Sequence, residues 1–153
     1  MKHDAIALLK RLSEATGPST SEDRIIQLIL ESLGDGFAHH VTPHKNLIVY
    51  SRRPAVGKTI MLQAHMDELG MRPYRYTPDG FIQLTPTGSV PPDATNHEII
   101  FEPTGVRGIL IIQQNERKSD YYADIGAASA EEAKEMVPHY SNAAYAGVEV
   151  KDS

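Results

Sequence analysis

Cysteine is absent from the 153 residues, and its absence removes two kinds of chemistry at once. Neither a disulfide framework nor a thiolate metal site is possible, so any metal must be held by histidine and carboxylate. Positive charge is also scarce. Fifteen Lys and Arg against 20 Asp and Glu leave a net charge of −5, with the basic residues scattered along the chain. Such a surface argues against nucleic acid and against an anionic membrane as partners. No apolar run approaches the roughly 18 residues that cross a bilayer, so no membrane span is expected and a cytoplasmic location is the default. Internal repeats and low-complexity tracts are missing too. What remains is a hydrophobic fraction of 41% in a length that suits one ordinary domain or two small ones, enough to bury a core.

The richest stretch is 58–70, K-T-I-M-L-Q-A-H-M-D-E-L-G. Thr59, Ile60, Met61 and Leu62 make an apolar run of strand length that leads into His65, Asp67 and Glu68. A buried strand over 58–64 would deliver His-x-Asp at its end, and side chains two apart on an extended segment face the same side. His65 and Asp67 could then serve one metal or acid–base site. Gly57-Lys58-Thr59 looks like the end of a phosphate-binding loop, but that motif needs a glycine where Arg52 stands, and a strand rather than a helix follows. A nucleotide site is not expected.

Upstream, Ile6, Leu8, Leu9 and Leu12 form an imperfect apolar stripe that predicts a helix over 3–15, stopped by Gly17-Pro18. A second helix is expected from Ser19, where Ser19-Thr20-Ser21-Glu22 fits a capping box, to a C-terminal cap at Gly34. Residues 37–41 and 46–50 read as two strands around Pro43. Downstream the pattern becomes mainly β. Runs at 71–76 and 81–85 flank Thr77-Pro78-Asp79-Gly80, a hairpin signal, and short strands are expected at 99–101, 108–113 and 121–125. Together they suggest a small barrel or sandwich. Ser129-Ala130-Glu131-Glu132 is a second capping box, opening a short helix ended by Pro138. The tail from 139 is weakly patterned apart from Val148-Glu149-Val150.

Two stretches carry a family resemblance. Gln63-Ala64-His65-Met66-Asp67-Glu68-Leu69-Gly70, with the Asp79-Gly80-Phe81 hairpin after it, resembles the corresponding segment of the glutamyl-aminopeptidase and endoglucanase-like dinuclear metallo-aminopeptidases, which include the tetrahedral (TET) enzymes. Tyr122-Ala123-Asp124-Ile125-Gly126-Ala127 and the Ser129-Ala130-Glu131-Glu132-Ala133 helix start resemble the D-I-G-A-x-S-x-E-E-A signature of that family's inserted β domain. The Gly17 and Glu22 region, Asn46-Leu47-Ile48 and Gly105-Val106-Arg107-Gly108 fit more loosely, and the match is collinear over about 4–136.

The resemblance implies the N-terminal part of an α/β metallopeptidase catalytic domain over 1–70, helices plus strands, and a mainly β, barrel-like inserted domain for dimerisation over 71–153. It implies a hydrolase that removes N-terminal residues from peptides with a divalent metal, zinc or cobalt. His65 matches the first metal ligand, and Asp67 the acid that orients a histidine in the centre, for which the physical logic is that a metal-bound imidazole needs a fixed tautomer. Glu68 has no firm role on this template beyond a sheet-end hydrogen bond or a surface position.

The departures from the family matter as much. The bridging ligand, the glutamate general base, the further carboxylates and the final histidine would all lie C-terminal to the β domain. Gly147-Val148-Glu149-Val150-Lys151-Asp152 looks like the family's G-[IV]-x-x-G-D segment, with Lys151 for the second glycine. This chain alone therefore should not hold the metal stably, since a catalytic site normally needs about three protein ligands. His39, His40 and His44 share one strand and its turn and cannot easily converge, while His97 and His139 fall in loops. Tyr121, Tyr122, Tyr74 and Tyr76 read as sheet and interface aromatics. The expectations are then a truncated or split metallo-aminopeptidase, inactive alone and acting on peptide only when completed, or a non-catalytic assembly or binding module of the same descent. A mononuclear hydrolase completed by a partner subunit is a third reading. Each of the first two implies self-association, because in the family the inserted domain makes the dimer contact. An apolar face and a strand edge near the N-terminus are also left to be covered, by a homo-oligomer or by a rearranged packing of the two N-terminal helices.

Overall fold

The computed structural model describes residues 2–54, 56–91, 93–116 and 118–146. The expected strand at 148–150 and the Gly147-to-Asp152 match lie outside them. Two helices open the chain, α1 (Lys2–Glu14) and α2 (Asp23–Ser32). A hairpin follows, formed by β1 (Phe37–Val41) and β2 (Leu47–Ser51), antiparallel from Phe37 opposite Ser51 to Val41 opposite Leu47. Six strands then build a closed barrel: β3 (Gly70–Tyr76), β4 (Ile82–Pro86), β5 (Glu98–Glu102), β6 (Val106–Gln114), β7 (Ser119–Asp124) and β8 (Asn142–Tyr145), in the order β3-β4-β7-β6-β5-β8. A short helix, α3 (Ala130–Met136), leads into β8. The fold is thus mixed helix and strand with a small β barrel, as the sequence predicts.

The barrel is where apolar burial is concentrated. Ile82, Ile99, Phe101 and Leu110 are fully enclosed, and Ala133 and Val137 of the α3 region pack into the same cluster. Each large side chain of this kind stabilises the fold by about 1.5–3 kcal/mol relative to exposure. The Thr77-Pro78-Asp79-Gly80 turn forms as expected, with Gly80 at φ +89°. A Cβ there would lie 1.9 Å from the carbonyl oxygen of Ala127, so the turn needs glycine for conformation and for space alike. At α3 the capping box forms: Ser129 Oγ accepts from the backbone N–H of Glu132 at 3.2 Å, and Glu132 Oε2 accepts from Ala128 N–H at 2.8 Å. Tyr74 and Tyr76 lie on β3 and Tyr121 and Tyr122 on β7, sheet aromatics as read, with the Tyr76 hydroxyl donating to the carbonyl of Val137 at 2.6 Å.

The structure departs from the sequence expectations at four places. No strand forms over 58–64; the segment has no regular structure, and Ile60, Met61 and Leu62 are 84%, 82% and 92% exposed. A strand is stable only beside a neighbour, and none of the described residues pairs with this one. α2 begins at Asp23 with Glu22 as N-cap and no side-chain cap; Ser19 lies three residues ahead of that cap, in a turn where the Ser21 N–H donates to Pro18 O at 2.8 Å and Thr20 sits at φ +76°. Its C-terminus closes through Leu33 in an extended conformation, without a left-handed Gly34. Finally, β8 forms in the weakly patterned tail and closes the barrel, pairing Ala143 and Ala144 with β3 on one side and β5 on the other.

Candidate metal centre

From Arg52 to His65 the described residues are exposed, and the chain meets the rest of the protein again at Asp67 and Glu68. There a parallel bridge joins Pro18 and Glu68: the Glu68 N–H donates to Gly17 O at 3.0 Å, and Glu68 Oε1 accepts from Gly17 N–H at 2.6 Å. Gly17 is required by its close packing against α2, since a Cβ on it would stand 2.4 Å from Ile25 Cγ1. β3 begins two residues later. His65 and Asp67 therefore sit on the last turn of free chain before a rigid barrel strand.

His65 Nδ1 lies 2.9 Å from the main-chain carbonyl of Asp67 and 3.3 Å from its Oδ1. Both neighbours only accept, so Nδ1 carries the proton and Nε2 keeps its lone pair. That is the tautomer a metal ligand requires. The His65 side chain is 86% exposed, so Nε2 is open to an incoming ion. Asp67 Oδ2 accepts a hydrogen bond from the Ser19 hydroxyl. This bond, against some desolvation and with help from His65, holds the Asp67 carboxyl below the ordinary carboxylate value. Glu68 moves the opposite way. Burial pushes its carboxyl up, and the Gly17 N–H offsets part of the rise.

Around the bridge the α1–α2 loop is fastened to the barrel by polar side chains. Thr16 Oγ1 donates to Glu102 Oε1 at 2.6 Å, Arg72 Nη2 to Thr20 Oγ1 at 3.1 Å, and Asn142 Nδ2 to Ser21 Oγ at 2.7 Å. On the other side of Glu68 an open cavity of about 490 Å³ is lined by Leu69, Pro91, His97, Glu98 and Tyr145. His97 meets Tyr145 edge-on with ring centroids 6.4 Å apart, and His139 meets Tyr76 at 4.7 Å.

His39 and His40 alternate along β1, opposite Val49 and Ile48, and are exposed. Among the described residues no three His, Asp or Glu side chains come together in a way that could hold a metal ion. The chain thus offers one imidazole nitrogen of the right tautomer, with its orienting acid, and fits one corner of a metal centre. Ser19, Gly17, Arg72 and Asn142 escape sequence reading as parts of this corner. The S-x-x-E pattern at Ser19 points to a helix cap, and nothing in the chain order brings Ser19 to Asp67.

A profile of M42 glutamyl aminopeptidases matches residues 45–146. A protein of Acetivibrio thermocellus that carries an aminopeptidase name is 32% identical over 144 residues, covering 89% of this chain and 43% of its own. Among solved structures, an aminopeptidase from the archaeon Desulfurococcus kamchatkensis superposes with a TM-score of 0.81 at 24% identity, over 99% of this chain and 45% of that one. The TET1 peptidase of Pyrococcus horikoshii, which can assemble into a tetrahedron or a large octahedral shell, superposes with a TM-score of 0.76 at 25% identity, over 92% and 46%. This chain accordingly spans less than half the length of the relatives it matches.

Proposed function

We propose, from the premise that this chain belongs to the M42 glutamyl aminopeptidase family, that it supplies the His65–Asp67 corner of a dinuclear aminopeptidase centre. The remaining ligands and the general base come from the rest of the fold, on the same or another polypeptide. The observation that carries this reading is the orientation of His65, whose Nδ1 faces two acceptors of Asp67 and leaves Nε2 free. Members of the family are in general metal-dependent. When bound, the divalent ions of such a centre, zinc or cobalt, polarise the scissile carbonyl and lower the pKa of water. The residues of this chain have a narrower task. His65 provides one nitrogen, and Asp67 keeps the proton on the other. With three protein ligands normally needed, the chain by itself is inactive and releases N-terminal residues from peptides only when completed.

The same reading divides the chain at about residue 70, with 1–70 belonging to the catalytic domain and 71–153 to an inserted domain that serves assembly. The likeness to the shell-forming peptidase of Pyrococcus horikoshii supports a homo-oligomer. No described helix is long and apolar enough to cross a membrane, which agrees with a cytoplasmic location. A second reading, that of a non-catalytic assembly module, is favoured by the self-contained barrel core against the uncovered 56–62 segment.

Metal analysis coupled to hydrolysis of chromogenic aminoacyl substrates separates these readings. The chain alone should show neither bound metal in stoichiometric amount nor turnover. Adding the C-terminal half of the Acetivibrio thermocellus relative should restore turnover that His65→Ala abolishes. Turnover by this chain alone overturns the view that it is incomplete; no turnover on complementation favours the module.

A further inference from the structure

We propose that Ser19 is a positioning residue for this centre: its hydroxyl holds Asp67 in the rotamer that sets Oδ1 beside His65 Nδ1, where it joins the main-chain carbonyl of Asp67 as a second acceptor. The inference rests on the reading of His65 as a ligand. Its first support is a hydrogen bond spent away from where the sequence places it. The S-x-x-E pattern makes Ser19 a cap candidate, yet α2 starts with Glu22 as its N-cap, and the Ser19 hydroxyl donates to Asp67 Oδ2. The other oxygen of that carboxylate, Oδ1, is the one 3.3 Å from His65 Nδ1. A planar carboxylate held at Oδ2 cannot swing Oδ1 away from the imidazole without giving up its first bond. The two contacts are coupled through one rigid group.

The second support is that Ser19 has a fixed place to act from. Asp67 is 40% exposed and precedes the barrel, so unaided it would sample several rotamers. The loop bearing Ser19 is fastened on both flanks. Gly17 and Glu68 exchange bonds of 2.6 and 3.0 Å on one side. On the other, Arg72 reaches Thr20 at 3.1 Å and Asn142 reaches Ser21 at 2.7 Å. Thr20 at φ +76° turns the chain between these anchors. Ser19 is therefore held relative to β3 and β8, the strands that fix where Asp67 emerges, and orientation passes from the barrel through Ser19 and Asp67 to His65.

The test uses the full chain, nitrogen-labelled and metal-free, with long-range proton–nitrogen correlation of the His65 ring. Ser19→Thr and Ser19→Val have the same shape and differ in the hydroxyl alone. Wild type and Ser19→Thr should show two well-separated ring nitrogens, with the proton on Nδ1. In Ser19→Val the two shifts should draw closer together, because one of the two acceptors at Nδ1 is released, with the barrel amides of Leu110 and Ala123 unmoved. Combining Ser19→Val with Asp67→Asn should add nothing to Asp67→Asn alone. Ring shifts in Ser19→Val identical to wild type, or an additive double variant, overturn the proposal. Complementation keeps the two ideas apart. If the C-terminal half restores turnover that His65→Ala leaves unchanged, the ligand reading fails while the metal-free comparison still decides the role of Ser19.

Discussion

Asp67 and Glu68 are neighbours in the chain, yet their surroundings push them in opposite directions. Asp67, lowered chiefly by the Ser19 hydroxyl, stabilises the fold above its unfolded pKa, and that contribution is lost as pH falls through its folded value. Glu68, raised chiefly by burial, favours the fold below its unfolded pKa, and that contribution is lost as pH rises through its raised folded value. Glu68→Gln keeps an oxygen to accept from Gly17 and removes the buried charge. Urea unfolding should find it more stable than wild type at about pH 7, with the difference shrinking toward about pH 3, where Glu68 is neutral as well. A variant less stable at neutral pH would mean that the Gly17 contact depends on the charge. At this scale His65 and Asp67 are legible in the sequence because they lie two apart in one stretch. Ser19 is not, because it reaches Asp67 across 48 positions.

Two S-x-x-E patterns in the same chain meet different fates, and the contrast shows what a local motif can decide. At Ser129 the side chain caps α3 and no other partner competes for it. Ser129→Ala should cost about 1 kcal/mol of stability in urea unfolding, the usual value of a lost cap. At Ser19 the turn through Thr20 leaves the residue three positions ahead of the N-cap, and its hydroxyl donates to the Asp67 carboxylate, a charge-assisted bond. α2 starts later, at Asp23. The 58–64 segment makes the same point for strands. Its β-branched and apolar residues have the composition of a strand, but propensity of that kind expresses packing against neighbours, and among the described residues none pairs with it. β8 is the converse case, since Asn142, Ala143, Ala144 and Tyr145 carry little pattern and become a strand because β3 and β5 leave a gap between them.

On the scale of the whole molecule, the barrel is closed and has no free edge, whereas the stretch before it exposes apolar side chains. Ile60, Met61 and Leu62 stand in solvent, and Ile48 and Tyr50 of β2 are 49% and 54% exposed. On the proposed assembly these side chains belong to an interface. Light scattering should give a mass above that of one chain, and the triple change Ile60→Ser, Met61→Ser, Leu62→Ser should lower it. The same change should leave unfolding of the isolated chain within about 0.5 kcal/mol of wild type, because the three side chains bury little. A monodisperse wild-type monomer would count against the interface. The amino-acid sequence alone determined the family, the barrel hairpins, the α3 cap and the His65–Asp67 pair, since each is written in contacts a few residues apart. Only the tertiary structure decided that the barrel closes through β8, that 58–64 remains unpaired, and that Ser19 serves Asp67 instead of its own helix. Those outcomes depend on which groups the fold brings within bonding distance, and on a strand's need for a neighbour that chain order does not reveal.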